Sequence, residues 1–143
     1  MLVVLQRDVS RTAKPIRIIL HPTDFSARSR PALGVAWALA RSHRARLVLL
    51  HAGPGDLGPE RADLAQLKEQ SDRAGLDVSV ETRFGQGEPI SEILLAAKHL
   101  GCDLIVMGSH GRTGFDRLMV GSVAESVIRE APCLTLVVKD APR

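Results

Sequence analysis

The segment from Leu104 to Glu125 limits the fold more than any other part of the chain. Its apolar run, Leu104 to Met107, ends at a glycine, and further glycines follow before Ser122. A short apolar run bounded by glycine is typical of a fully buried parallel strand. Ser122 begins an S-x-x-E pattern, which predicts a helix with Ser122 as its N-cap. The segment therefore predicts a strand, a glycine-rich loop and a helix in succession.

A glycine-rich loop that leads into a helix is a common place for a phosphate group. The first backbone N–H groups of a helix lack partners within it, and the helix dipole adds partial positive charge there. The glycine spacing leaves a second interpretation open, in which the glycines only permit tight turns and Ser122 caps a helix that binds nothing. The segment has neither the G-K-S/T ending of a Walker A loop nor the pattern G-x-G-x-x-G. The glycines are Gly108, Gly111, Gly114 and Gly121.

Strand-like and helix-like patterns alternate along the rest of the chain. Short strands that alternate with helices imply right-handed crossovers and a doubly wound, Rossmann-like parallel sheet with helices on both faces. The predicted fold class is therefore α/β, with residues 16–143 as one domain and residues 1–15 as a flexible or added N-terminal segment. The predicted strands are 16–21, 47–52, 76–84, 104–107 and 133–139, and the predicted helices start near Pro31 and cover 60–74, 89–100 and 122–130.

Composition fits an ordinary globular domain. With 143 residues, 45% of them hydrophobic and 24% charged, the chain can bury a sizeable core and is not largely disordered. The apolar run Met1 to Leu5 is too short for a signal peptide, and no window approaches a membrane span. We therefore expect a cytoplasmic protein with no membrane partner. Cys102 and Cys133 each lie beside a predicted strand and are interpreted as small core residues in a reducing compartment.

The basic charge of the chain is unevenly distributed. Residues 1–55 hold nine lysines and arginines against Asp8 and Asp24, whereas the whole chain has a net charge of +3. A basic half can indicate nucleic-acid binding. However, the aromatic content is 3%, tyrosine is absent, and no nucleic-acid-binding motif is present. We interpret the basic residues as a solvated surface and expect no nucleic-acid partner.

Neither a catalytic site nor a metal site is predicted. No G-x-S-x-G elbow, paired carboxylates or cysteine nucleophile lies near the glycine segment. His21, His51 and His110 each lie near the end of a predicted strand, but no H-x-x-x-H or C-x-x-C spacing supports a metal site.

Four short motifs lie along the chain: Ile18 to Ser26, Leu47 to His51, Gly87 to Ile90, and Gly108-x-x-Gly111 followed after nine residues by Gly121-Ser122. Together they resemble the universal stress protein family. They occur in the family's order and cover about residues 16 to 139. The glycine segment is similar to the family's nucleotide-binding signature, and the Pro-Thr-Asp-Phe-Ser turn is similar to the end of its first strand.

The resemblance implies a five-stranded sheet in the order 3-2-1-4-5, which reverses between the first and fourth strands. Open α/β sheets bind ligands at such a switch point, beyond the carboxyl ends of the strands. The resemblance also implies ATP with Mg²⁺ as the cofactor of a stress-response regulator with an unknown protein partner. Any enzymatic activity would be slow ATP hydrolysis or self-phosphorylation. A dimeric interaction module of the same fold that binds no nucleotide remains the alternative.

The resemblance also implies a role for each site residue. The later glycines and the first turn of the last helix, with the Ser122 hydroxyl, would bind the phosphates, and Gly108 and His110 would line the ribose and the first phosphate. Asp24 would accept hydrogen bonds from the adenosine end, or alternatively cap the turn into the first helix. Ala52 and Met107 would form apolar walls for the purine. The expected site is Pro22, Thr23, Asp24, Ala52, Met107, Gly108, His110, Gly111, Gly121, Ser122, Val123 and Ala124.

The predicted strand 133–139 suggests how two copies of the chain could assemble. The implied order places it at a sheet edge, where unpaired backbone groups invite another chain. We therefore expect a two-fold homodimer through antiparallel pairing of this strand.

Overall fold

The computed structural model describes residues 2–5, 15–25, 29–53, 58–73, 77–109 and 121–139. Strands and helices alternate through these residues, apart from an additional strand at the start. The elements are β1 (Leu2–Leu5), β2 (Ile18–Pro22), α1 (Arg30–His43), β3 (Arg46–Ala52), α2 (Gly58–Arg73), β4 (Val80–Gly85), α3 (Pro89–Leu100), β5 (Leu104–Gly108), α4 (Ser122–Glu130) and β6 (Leu134–Val138).

The five parallel strands lie in the order β4-β3-β2-β5-β6. Numbered without β1, this is the order 3-2-1-4-5, so the predicted fold is confirmed. The sheet order reverses between β2 and β5, which are hydrogen-bonded neighbours. The switch point therefore lies in the middle of the sheet.

Two layers of helices enclose the sheet. On one face, Ile19 and Leu47 pack with the small residues of α1 and with Leu64 of α2. On the other face, Leu20 and Ile105 pack with α3 and α4. This alternation follows from the two-residue period of a strand, which turns successive side chains to opposite faces. The apolar runs of the central strands are continuous because both of their faces are covered.

β1 adds a sixth strand, antiparallel to β6. The register pairs Leu2 with Val138 and Leu5 with Thr135. The prediction that strand 133–139 lies at an open edge is therefore wrong, because β1 pairs with the outer side of β6. Antiparallel pairing of this strand with a second copy would require β1 to leave. Residues 2–5 thus form an added edge strand, and residues 6–14 lie outside the described residues.

The predicted bounds differ mainly at β4. The sequence pattern predicted a strand from residue 76, whereas β4 begins at Val80. Its partial burial fits its position at the sheet edge. The helix predicted over 89–100 has those bounds, and Gly101 ends it with a φ of 61°, a left-handed conformation that favours glycine. In the described parts of the chain, no helix is long and apolar enough to cross a membrane.

Candidate functional site

The carboxyl ends of β2 and β5 lie side by side at the switch point. In this pairing Ile19 lies opposite Leu104, and Leu20 lies opposite Ile105. Nearer their ends, His21 Nδ1 donates to the Val106 carbonyl oxygen at 2.8 Å. Because β2 then ends at Pro22 and β5 at Gly108, the turn after β2 and the glycine segment after β5 leave the same edge of the sheet.

His21 is a neutral side chain beneath this edge. It is fully buried, and its Nε2 atom has no hydrogen-bond partner among the described residues. Since a carbonyl oxygen only accepts, the Nδ1 atom must carry the proton that binds Val106. Burial lowers the pKa of His21 from 6.5 to about 4, against smaller opposing effects of this hydrogen bond and the charge of Asp24. The side chain therefore stays uncharged at neutral pH.

Thr23 organises the turn after β2. Its backbone N–H donates to the Leu50 carbonyl oxygen at 2.9 Å, which ties the turn to β3. Its hydroxyl oxygen accepts from the Phe25 N–H at 3.0 Å and lies 3.2 Å from the Ser29 hydroxyl. Thr23 is buried, with 8% of its surface exposed. The turn is thus held by its own side chain as well as by the sheet.

Phe25 and His51 close the turn over β3. Phe25 has a φ of 64°, which is uncommon for a residue other than glycine. Its ring stacks on the His51 ring with centroids 4.9 Å apart, and His51 Nδ1 donates to the Thr23 carbonyl oxygen at 3.1 Å. The strand ends of β2 and β3 are therefore joined into one rigid rim. This rim supports the conformation of Phe25.

Asp24 lies between these anchors and is half-buried. Ser29, not Asp24, occupies the N-cap position of α1. The negative charge of Asp24 acts on His21 and raises its pKa, although burial has the larger opposite effect. The rim therefore places one carboxylate acceptor near the switch point.

α4 begins in a way that the sequence pattern did not predict. Gly121, not Ser122, is its N-cap, with φ −64° and ψ 161°, and no side chain of the described residues caps this helix. The Gly121 carbonyl oxygen accepts the Glu125 N–H at 2.9 Å, so Ser122 is already the first helical residue. The prediction of a Ser122 capping box is therefore wrong. Because glycine has no side-chain acceptor, the first-turn N–H groups at 122 to 124 have no cap to bind.

The Gly121 N–H has a different role from the phosphate donor that was expected. It donates to the Ser109 carbonyl oxygen at 2.6 Å, and the Ser109 N–H donates to the Val138 carbonyl oxygen at 3.1 Å. These two bonds hold the start of α4 against the ends of β5 and β6. Among the described residues, the N–H groups of Ser122 and the two residues after it have no backbone acceptor.

The remaining predicted site residues differ in how much surface they offer. Ser122 is exposed, whereas Ala124 is 1% exposed and can contribute only its backbone. Ala52 is half-buried at the end of β3. Met107 is 5% exposed and packs in the core beneath α3 and α4, which leaves little of it for a purine. His110 and Gly111 lie outside the described residues.

The family model for universal stress proteins matches residues 15–139. The chain belongs to the universal stress protein family. It is 31% identical to the universal stress protein YxiE of Bacillus subtilis (strain 168) over an alignment of 144 positions, which covers 85% of this chain and 97% of that protein. It is 43% identical to the universal stress protein MJ0531 of Methanocaldococcus jannaschii over 76 residues, or 53% of this chain and 44% of that protein. The chain thus matches less than half the length of that relative.

A solved structure of a universal stress protein in complex with cAMP has the same fold. Its TM-score is 0.75 at 25% identity, and the match covers 90% of this chain and 100% of that chain. The family resemblance drew attention to the Pro-Thr-Asp sequence after β2 but assigned no role to Phe25 or Ser29. The signal for these residues was the threonine itself, since a Thr hydroxyl often binds a backbone N–H two residues further on.

Proposed function

We propose that this universal stress protein binds an adenine nucleotide, ATP with Mg²⁺, at the edge where β2 and β5 end. In this proposal it acts as a cytoplasmic stress-response regulator, and the bound nucleotide changes its affinity for a protein partner. The observation that carries the proposal is the first turn of α4. Its N–H groups have no side-chain cap among the described residues, and they lie near the switch point of a doubly wound sheet.

The chemistry of this turn suits a phosphate group. Successive N–H groups at a helix start point along the axis toward the same region of space, and the helix dipole adds positive character. Ser122 adds an exposed hydroxyl at the first helical position. A hydrogen bond from such a donor to a charged acceptor contributes about 1.5–3 kcal/mol. Two or three of them would supply a large part of the roughly 8 kcal/mol that a micromolar affinity requires.

The rim after β2 suits the other end of the nucleotide. Asp24 provides an acceptor for hydroxyl or amino groups, while Ala52 provides a small apolar surface at the end of β3. Gly108 ends β5 without a side chain that would narrow the space between the phosphate and the nucleoside. The rim is rigid because Thr23 and His51 hold it, so little ordering is required on binding.

Magnesium would arrive with the nucleotide. The described residues contain no group of three or more His, Cys, Asp or Glu side chains that could hold a metal. Mg²⁺ commonly keeps several waters and binds substrate phosphates with few protein ligands. When bound, it would neutralise phosphate charge. The residues of this chain would position the nucleotide through α4 and Asp24.

Titration calorimetry with three ligands tests the proposal. MgATP, ATP with a chelator and cAMP are each added to the purified protein, and differential scanning fluorimetry is run in parallel. We expect about one MgATP per chain and a rise in melting temperature, since a ligand that binds only the folded state stabilises it. cAMP is included because a relative of the same fold binds it. A folded protein that shows neither heat nor a thermal shift with any of the three contradicts the proposal and supports the interaction-module alternative.

A further inference from the structure

Two cysteines lie in contact at the end of the sheet opposite the proposed nucleotide site. Cys102 Sγ and Cys133 Sγ are 3.5 Å apart, and both residues are free thiols. They are 31 positions apart in the chain, so the fold rather than local sequence brings them together. Cys102 precedes β5 and Cys133 precedes β6. The pair therefore lies at the amino ends of two neighbouring parallel strands.

The sheet holds the backbones at a separation that suits a disulfide. β5 and β6 pair from Leu104 with Leu134 onward, so Cys102 is offset by one residue from the position opposite Cys133. Neighbouring strands lie about 4.8 Å apart and each residue rises about 3.3 Å, which gives a Cα separation of roughly 6 Å. Disulfides join residues whose Cα atoms are roughly 4.4–6.8 Å apart. An S–S bond is about 2.0 Å long, so the two sulfur atoms need to approach by roughly 1.5 Å. Rotation of the two side chains can supply a movement of this size.

One of the two residues is held firmly, and the other lies in a bend. The Cys102 N–H donates to the Ala97 carbonyl oxygen at 3.1 Å, in the turn that ends α3. The next residue, Asp103, accepts hydrogen bonds from the N–H groups of Arg17 and Ile18 at 2.9 and 3.0 Å. Cys133 lies in the bend between α4 and β6. Any adjustment that a disulfide requires can therefore come from the Cys133 side.

The two thiols differ in exposure and acidity. Cys102 is 6% exposed, whereas Cys133 is half-buried. The hydrogen bond with Cys133 and, to a lesser extent, burial raise the pKa of Cys102. The same hydrogen bond from Cys102 lowers the pKa of Cys133, although burial and the charge of Asp103 oppose this effect. Cys133 is thus the sulfur that solvent can reach and that loses its proton first.

We propose that Cys102 and Cys133 form a peroxide-sensitive pair that interconverts between two thiols and an intramolecular disulfide. The Cys133 thiolate attacks one oxygen of hydrogen peroxide, the O–O bond breaks, and hydroxide leaves, so Cys133 becomes a sulfenic acid. The hydroxide takes the Cys102 proton and becomes water. The Cys102 sulfur then attacks the Cys133 sulfur, the S–O bond breaks, and a second hydroxide leaves to be protonated by solvent. One peroxide gains two electrons and the two sulfurs lose two, and an external dithiol reverses the change.

The disulfide would anchor both ends of the segment that carries the proposed phosphate site. β5, α4 and the residues between them lie between Cys102 and Cys133 in the chain. Closing this loop restricts the unfolded chain and therefore stabilises the folded state. This inference does not depend on nucleotide binding, because its readouts are thiols, masses and melting temperature.

The first experiment uses the full chain without substitutions. Reduced protein is treated with stoichiometric hydrogen peroxide, denatured, and assayed for free thiols and by peptide mass spectrometry. We expect both thiols to be lost, the mass to fall by that of two hydrogen atoms, and a peptide to link Cys102 with Cys133. Dithiothreitol should restore both thiols. The oxidised form should melt on the order of 5 °C higher than the reduced form.

Several results of that experiment would overturn the proposal. They are two thiols that persist after treatment, a disulfide that links two chains, and oxidation of Cys133 to sulfinic or sulfonic acid without a cross-link.

Two serine variants test the order of the steps. In Cys102→Ser, the Cys133 sulfenic acid has no partner, so dimedone should trap it on Cys133. In Cys133→Ser, the remaining thiol is buried, and burial alone still raises its pKa, so its reaction with peroxide should slow by about tenfold or more. Circular dichroism checks that both variants fold. Reaction of Cys133→Ser at the parent rate, or no dimedone adduct in Cys102→Ser, contradicts the assigned roles.

Discussion

α3 and α4 lie on the same face of the sheet, yet they begin in opposite ways. At the start of α3, the Glu88 carboxylate accepts hydrogen bonds from the N–H groups of Ile90 and Ser91 at 3.2 and 3.1 Å. Pro89, the first residue of α3, has no N–H group. At the start of α4 the N-cap is Gly121, which offers no side chain. α3 thus carries its own anion, whereas no side chain of the described residues places an anion at the start of α4.

Glu88 shows what a helix start does to a negative charge in this protein. Its pKa is lowered, first by the hydrogen bond from the Ser91 N–H and then by the one from the Ile90 N–H. The start of α3 therefore stabilises the ionised carboxylate over the neutral acid. The first turn of α4 has the same backbone geometry without the carboxylate. In our proposal, a phosphate would accept hydrogen bonds from the first-turn N–H groups of α4, as the Glu88 carboxylate does at α3.

The most severe test of this comparison makes α4 resemble α3. In Gly121→Asp, a carboxylate at the N-cap would bind the first-turn N–H groups and repel a phosphate. We expect the affinity for MgATP to fall by about a hundredfold or more, equivalent to roughly 3 kcal/mol. Without nucleotide, the variant should be more stable by roughly 1 kcal/mol, because the helix gains a cap. Calorimetric titration and thermal unfolding measure the two effects.

Gly121→Asn is the matched control, since its amide caps the helix without a charge. Its affinity for MgATP should lie between the affinities of the parent and of Gly121→Asp. If Gly121→Asp folds and binds MgATP as the parent does, the start of α4 is not the phosphate site.

The dependence of stability on pH should differ between two regions. His21 lies where β2 and β5 meet, adjacent to the start of α4, and should act in a higher pH range than Glu88 at the start of α3. His21 has a pKa of about 4 when folded and 6.5 as its ordinary value, so between these values the unfolded chain binds a proton that the folded chain does not. Stability therefore falls as the pH is lowered from about 6.5 to about 4, by roughly 3 kcal/mol at most. The Glu88 contribution is lost only below its ordinary value of 4.5, as the pH falls through its lowered folded pKa.

His21→Asn can still donate to the Val106 carbonyl oxygen, but it does not titrate. Urea unfolding at a series of pH values should show a flatter profile above pH 4 for this variant than for the parent. Identical profiles would assign the acid sensitivity to another group.

Removing the carboxylate at α3 provides the converse test. Glu88→Ala leaves the N–H groups of Ile90 and Ser91 without their side-chain acceptor, so the melting temperature should fall. Glu88→Gln keeps an uncharged acceptor, so its melting temperature should fall less than that of Glu88→Ala. The affinity for MgATP should stay within about twofold of the parent, because α3 begins after β4 rather than at the switch point. A loss of affinity as large as that of Gly121→Asp would contradict the distinction between the two helix starts.

The smallest expected effect is that of Ser122→Ala. Because Ser122 is the first helical residue and not the cap, its removal should change stability without nucleotide by less than about 0.5 kcal/mol. The loss of one hydroxyl should weaken MgATP binding by about tenfold, since one hydrogen bond from an exposed hydroxyl to a charged acceptor contributes roughly 1.5 kcal/mol. A loss of stability near that of a missing cap would restore Ser122 to the N-cap role.

Local sequence patterns predicted elements whose signals lie within a few residues. Helix α3 begins at Pro89 and ends before Gly101, and both bounds follow from the φ preferences of these two residues. Strand β5 was predictable because a buried parallel strand is apolar throughout. The S-x-x-E pattern placed α4 correctly over 122–130, although the same pattern misplaced its cap. A pattern of residue types cannot distinguish a serine at the cap from one at the first helical position, because the difference is a single backbone conformation at Gly121.

Long-range pairing decided what the sequence alone could not. The sequence by itself determined the α/β alternation, the glycine segment and the turn after β2, since each depends on neighbouring residues. Tertiary structure decided that β1 covers β6, pairing Leu2 with Val138, and that Cys102 contacts Cys133 across two strands. No pattern of neighbouring residues predicts either contact. Both the hydrogen bonds of an edge strand and the contact of two thiols depend on which distant segment of the chain lies alongside. The proposed nucleotide site combines both kinds of information: its residues come from local motifs, whereas the place of the α4 start beside the ends of β5 and β6 comes from how the chain packs.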